Sequence, residues 1–167
     1  MAIQNPQEFV VQLLSNLRQG TERSVEFYRE LSQLAWEPDV KEALEARAFI
    51  SEKVLATQDQ CFKLIGERPM TGNSRIHDIF VEDFRKEVAE IQNPAAKHLF
   101  ILAKAIHLTH LRIAEYMALV ATADITGHYG VGVLLESCLA DNLAFVERTR
   151  RLVRNAVETR VATRMAA

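Results

Sequence analysis

A chain of 167 residues with 49% hydrophobic and 25% charged content is long enough to bury a core unaided and too apolar to be disordered. Its formal charge of −2 supplies no global field for nucleic acid or an anionic membrane, so neither is expected as a partner. Six glycines and four prolines are too few for a strand-and-turn architecture.

The opening MAIQNPQEF has neither a basic n-region nor an apolar h-region, so no export signal is expected and the default location is cytoplasmic. Asn5-Pro6 then reads as a cap followed by proline in the first turn, where its missing N–H costs nothing. It predicts a first long helix over roughly Pro6 to Leu34, with Val10, Leu13, Leu14, Leu17, Val25, Tyr28 and Leu31 on one face. Trp36 ends that helix and is expected to pack there. Glu37-Pro38 opens a second helix running to about Ile65, with a face of Val40, Leu44, Ile50, Val54, Cys61, Leu64 and Ile65. The loop from Gly66 to Ser74 contains Pro69. A shorter helix follows over about Arg75 to Gln92, with Ile79, Phe80, Phe84, Val88 and Ile91 on one side. Asn93-Pro94 starts another long helix, to about Asp124, whose face is assigned to Leu99, Ala103, Ile106, Ile113, Met117 and Val120. After the turn Ile125 to Gly130 the last helix reaches roughly Val161, with Val131, Leu134, Leu135, Cys138, Phe145 and Leu152 inward. One apolar face on each of four long helices predicts an all-α, antiparallel four-helix bundle with an extra short helix, as one domain over residues 1–167.

No run of about 18 apolar residues is present, so no membrane span is expected. Cys61 and Cys138 lack CxxC spacing and read as buried free thiols in a reducing compartment. The arginines Arg148, Arg150, Arg151, Arg154, Arg160 and Arg164 read as a solvated face partly balanced by Glu147 and Glu158.

The informative residues interrupt the apolar faces: Thr21 in the first helix, Arg47 in the second, Thr109 and His110 in the fourth, Asp141 and Asn142 in the last. All lie near mid-helix, so in an antiparallel bundle they meet at one level. A buried Arg47 needs a carboxylate, and Asp141 is the acidic residue expected to face it. Three readings stay open: a hydrogen-bonded layer that fixes helix register, a metal or catalytic site, and a register that puts Arg47 in solvent. His107 and His110 resemble half a metal site, although His107 falls beside Lys104 off the face. His77, His98 and His128 lie near ends or loops with no partner by spacing.

Four segments taken in order resemble the YciE/YciF family of bacterial ferritin-like stress proteins. They are Glu-Pro-Asp-Val-Lys-Glu-Ala-Leu-Glu45, Leu-Ile-Gly-Glu-Arg-Pro69, His-Leu-Arg-Ile-Ala-Glu-Tyr116 and Leu-Leu-Glu-Ser-Cys-Leu-Ala-Asp141. The resemblance covers nearly the whole chain and implies a ferritin-like bundle, a homodimer, and inward Glu and His residues that hold two metal ions. This sequence departs from that pattern. Thr21, with Glu22 beside it, stands where the family has an inward Glu; Arg47 and Ile50 stand for its His and Glu. Thr109 replaces the Glu before His110, and Asp141 keeps an acidic position. A register slipped by one would recruit Glu22, Glu45, Glu52, Glu115 and Glu136 instead, residues read here as surface charges.

The expectation is a metal centre replaced by a polar cluster on Arg47, His110 and Asp141, with no cofactor and a non-enzymatic, stress-associated or interaction role. The alternatives are a di-metal carboxylate oxidase or ferroxidase using iron or manganese, with His110 and Asp141 as remnant ligands, and a module in which Arg47 binds a small anion. No Gly-rich phosphate loop, GxSxG or HExxH supports a nucleotide enzyme or a hydrolase.

Overall fold

The computed structural model describes residues 3–71 and 75–165, with side chains as far as Glu158. Five helices follow in order: α1 (Pro6–Leu34), α2 (Pro38–Ile65), α3 (Arg75–Glu90), α4 (Pro94–Ile125) and α5 (Tyr129–Met165). Residues 72–74 of the expected loop, and the side chains of Arg160 and Arg164, lie outside the described residues.

The helix ends are written locally. Asn5 Oδ1 accepts from the Glu8 N–H at 2.9 Å while the Glu8 carboxylate accepts from the Gln4 N–H at 2.8 Å, a reciprocal cap ahead of Pro6. Asn93 Oδ1 takes the N–H groups of Ala95 and Ala96 at 3.0 Å and starts α4 in the same way. Two glycines in left-handed conformation stop α2 and α4: Gly66 at φ 71° and Gly127 at φ 77°. At each, the next residue returns its N–H to the last turn, Glu67 to Phe62 O at 3.1 Å and His128 to Ala123 O at 2.8 Å.

Cross-helix pairs set the directions. Arg18 meets Asp59 and Thr21 meets Gln58, so α1 and α2 are antiparallel. Tyr28 meets Thr109 while Leu17 meets Arg112, so α1 and α4 are antiparallel as well. Arg47 meets Asn142 and Glu42 meets Arg148, which makes α2 and α5 antiparallel. α4 and α5 form a hairpin closed by the short turn around Gly127. Every neighbouring pair of the four long helices is therefore antiparallel, while α2 and α4, diagonal to each other, run the same way. That arrangement needs a long return between them, and α3 supplies it. It lies along α1 with Asp78 on Arg23, the Phe84 ring 5.0 Å from Phe27, and Arg85 on Glu30.

The core has two apolar halves. One gathers Val10, Leu14, Leu17, Val54, Phe62, Leu119 and Leu135; the other gathers Phe27, Leu31, Leu44, Phe84, Leu102, Leu108 and Phe145. Between them lies a belt of buried polar side chains. Residues Tyr129–Glu158 of α5 are long and apolar enough to cross a bilayer by length and composition, which departs from the expected absence of such a run. The buried Val131, Leu135, Cys138 and Phe145 recur there at three-four spacing, so the bundle core accounts for part of that apolarity, with 39% of the stretch buried.

Candidate functional site

The belt between the two half-cores is the chemically distinctive part of the molecule. Four of the six interrupting residues come together in it: Thr21, Arg47, Thr109 and Asn142 are all buried. The other two do not. His110 and Asp141 are exposed, and their assignment to the cluster is corrected for a geometric reason. In α5 the inward positions are Cys138, Asn142, Phe145 and Thr149, and Asp141 stands about 100° around the helix from Asn142. In α4 the inward positions are Ile101, Leu102, Ala105, Leu108, Thr109, Arg112, Ile113, Tyr116, Leu119 and Ala123. His110 and His107 point outward from that face, while Met117, assigned inward from the sequence, is exposed. The face was misplaced because α4 is apolar over most of its circumference, which leaves its phase undetermined.

Two guanidinium groups organise the belt. Arg47, 4% exposed, finds no carboxylate among the described residues. Its Nη2 donates to Asn142 Oδ1 at 2.5 Å, and its Cζ lies 5.5 Å from the ring centroids of both Tyr28 and Phe145. Tyr28 is fixed in turn by a 2.8 Å bond between its hydroxyl and Thr109 Oγ1. Among the described residues, Arg47 Nε and Nη1 have no hydrogen-bond partner, and each such buried donor costs about 1–3 kcal/mol.

Arg112, 2% exposed, was absent from the sequence reading and is better satisfied. Its Nη2 donates to the Leu17 carbonyl and to Thr21 Oγ1 at 2.6 Å, and its Nη1 pairs with Glu115. Thr21 Oγ1 also donates to Leu17 O and accepts from Gln58 Nε2, so its capacity is full. Gln58 Nε2 continues the chain to the Tyr116 hydroxyl at 2.9 Å. Arg112 can enter only because position 20 is glycine: a Cβ there would stand 2.2 Å from Nη1. A glycine in the middle of a long helix is a signal of such a close approach, and it passed unused.

The titratable groups around the belt are tuned chiefly by desolvation. Burial, with Arg112 and Arg23 adding repulsion, lowers the His77 pKa to about 3, so its imidazole is neutral at ordinary pH. His77, read as a partnerless residue near an end, is buried against Ser24 at 3.4 Å. Burial raises the Glu115 pKa, with Arg112 pulling the other way and losing. Burial likewise pushes the Tyr116 hydroxyl to about 12, the Cys61 thiol to about 12 and the Cys138 thiol to about 11. Neither cysteine is therefore an activated nucleophile.

Among the described residues, no Asp or Glu is buried, and no group of three or more His, Cys, Asp and Glu is placed to hold a metal ion. Of the slipped-register carboxylates, Glu22 and Glu52 pair with Arg18 and Arg29, Glu45 with Lys41, and Glu115 with Arg112. Glu136 is exposed.

The sequence profile of DUF892, a domain of unknown function, matches residues 5–162. No curated protein sequence matches the chain. Among solved structures, the Escherichia coli stress protein YciF is 18% identical with a TM-score of 0.88, covering 93% of this chain and 99% of its own. YcfI from Rhodopseudomonas palustris is 22% identical with a TM-score of 0.85, covering 89% and 94%. A ferritin-like, diiron-carboxylate protein from Bacillus anthracis is 16% identical with a TM-score of 0.68, covering 90% and 99%. The fold expected from the sequence, a ferritin-like bundle with an added helix, is the one these structures share, and the resemblance to the YciE/YciF family holds.

Proposed function

The chain belongs to the DUF892 family of ferritin-like proteins, and from that premise we propose that it is a non-enzymatic, stress-associated protein whose di-metal centre has been replaced by a hydrogen-bonded belt. One observation carries this reading: two guanidinium groups, Arg47 and Arg112, occupy the middle of the bundle core, and Glu115 on Arg112 is the one carboxylate paired with them among the described residues. A pair of hard cations in such a bundle needs several inward carboxylates to neutralise and bridge it. Thr21, Gln58, Thr109 and Asn142 offer neutral oxygens, and two fixed positive charges repel a cation from the same space. These residues do not fit a di-iron or di-manganese centre.

Metal analysis tests the reading directly. The purified protein is expected to carry iron and manganese far below stoichiometry. It is also expected to develop no oxo-to-iron absorption when loaded with ferrous ion without oxygen and then aerated. Near-stoichiometric iron with that absorption would replace this reading by the ferroxidase one.

One observation favours a second reading, binding of a small anion at Arg47: two of its guanidinium nitrogens have no partner. A rise in thermal midpoint with formate or nitrate, absent in Arg47→Met, is its signature. We further propose that the chain self-associates as a homodimer through α4 and α5, where Met117, Ile125, Tyr129 and Val133 are exposed. A reducing, cytoplasmic location suits the free thiols of Cys61 and Cys138.

A further inference from the structure

At the end of the bundle away from Gly66, a cleft of about 470 Å³ opens between the link from α1 to α2, the first turns of α4 and the later part of α5. Trp36, Glu37, Asp39, His98, Leu99 and Leu152 are among the residues that line it. His98 is 4% exposed, yet among the described residues neither ring nitrogen has a hydrogen-bond partner. A neutral imidazole carries one donor and one acceptor, so a buried ring on a cleft wall with both unused is set up for a ligand. Trp36 is 64% exposed with its ring centroid 5.9 Å from that of His98, so an aromatic face stands free beside the imidazole. That exposure corrects the expectation that Trp36 simply packs at the end of α1.

Charge selects the ligand class. Glu37 and Asp39 bring two carboxylates, and Glu37 does not spend its own on capping α2. Among the described residues neither forms an ion pair. Against them stand the first turns of α2 and α4, each worth about half a positive charge. The described lining holds these two carboxylates and no Lys or Arg, so its net charge is negative. Ala95, Leu99, Leu152 and Ala156 supply apolar wall.

We propose that this cleft binds a small organic cation, an amine or amidine carried on an apolar body. Its nitrogen is held by Glu37 and Asp39 and by the acceptor nitrogen of His98, and its body lies on Trp36 and the leucines. The site is separate from the belt and stands whether or not the belt reading holds.

Trp36 is the only tryptophan in the chain, so its emission reports the cleft directly. Titration of the full-length protein with phenethylamine is expected to give a saturable change in Trp36 fluorescence. The neutral 2-phenylethanol is expected to bind roughly tenfold more weakly, and phenylacetate not at all. The double variant E37Q/D39N is expected to lose roughly tenfold for the amine and nothing for the alcohol. Both substitutions are at the cleft rim, so this variant keeps its fold. His98→Leu is expected to weaken both ligands, and in the unmodified protein phenethylamine is expected to shift the His98 imidazole nitrogen resonances. No saturable change with phenethylamine, equal binding of phenylacetate, an unaffected E37Q/D39N variant, or unmoved His98 resonances would each overturn the proposal.

Discussion

The guanidinium of Arg112 lies directly over the α-carbon of Gly20. A methyl group at position 20 would stand 2.2 Å from Arg112 Nη1 and 3.0 Å from His77 Cε1. On helix propensity alone, Gly20→Ala in α1 would stabilise the fold by about 1 kcal/mol. The contact reverses the sign. Arg112 is held at that spot by Leu17 O, Thr21 Oγ1 and Glu115, so it cannot withdraw without breaking several bonds. Gly20→Ala is expected to destabilise by about 1–3 kcal/mol in urea unfolding. In an Arg112→Leu background the same change should become neutral or favourable. Stabilisation by Gly20→Ala alone would mean that Arg112 is not locked in place.

Arg47 and Asn142 offer a different asymmetry. The guanidinium has one hydrogen bond and two ring faces for company, and two of its donors are idle. Such a group adds little net stability, and Arg47→Met, which fills a similar volume, is expected to leave stability unchanged or raise it by about 1–2 kcal/mol. Asn142→Leu alone strands the charge and is expected to cost about 2 kcal/mol or more. The double variant should recover to near the unmodified protein, and a double-mutant cycle in urea measures the coupling. Additive costs would show that the belt is not held together through this bond.

His77 makes stability pH-dependent with a definite sign. Its pKa is about 3 in the folded protein, against about 6.5 for an unperturbed imidazole. Between those values the unfolded chain binds a proton that the folded one refuses, so the stability present above pH 6.5 is lost as pH falls. The slope is about 1.4 kcal/mol per pH unit and ends near pH 3. Glu115 runs the other way: its raised pKa means the folded state holds a proton longer, which offsets part of the loss above the ordinary carboxylate range. Comparing His77→Gln with the unmodified protein isolates the histidine. The difference in unfolding free energy should shrink steadily from pH 7 to pH 5, and curves that stay parallel would rule the burial effect out.

How far the sequence could be read depended on how each helix divides its faces. In α1 the apolar positions fall mainly on one side, and Val10, Leu14, Leu17, Val25, Tyr28 and Leu31 are buried as expected, with Leu13 half-buried. Capping asparagines and first-turn prolines marked the starts of α1 and α4, and helix-end glycines marked the turns, so the architecture was legible. In α4 apolar residues surround the helix, and the inward face was assigned about one residue out of phase. That error put His110 inside and left Arg112 out of the belt, whereas His110 is exposed and Arg112 is buried. The belt was legible at Thr21, Arg47, Thr109 and Asn142 because each breaks a well-phased face or adjoins one that does. Gln58 and Tyr116 were not, since their role depends on which helices face each other at that level. His98 was beyond reach for a similar reason: its ring meets Trp36, which lies in the link between α1 and α2.

The apolar residues left outside bear on assembly. Val133 near the start of α5 is 67% exposed, and Met117 on α4 is 59% exposed, on helices already packed together in a hairpin. Large apolar side chains on neighbouring helices are what a self-complementary interface buries, and a twofold pairing uses the same patch on both copies. The protein is expected to run as a dimer by light scattering coupled to gel filtration. Met117→Lys combined with Val133→Lys is expected to shift it to monomer with its helical circular dichroism intact, because neither side chain contributes to the core of its own chain. A dimer that survives both substitutions would place the interface on another face, and a monomeric unmodified protein would remove the self-association proposal altogether.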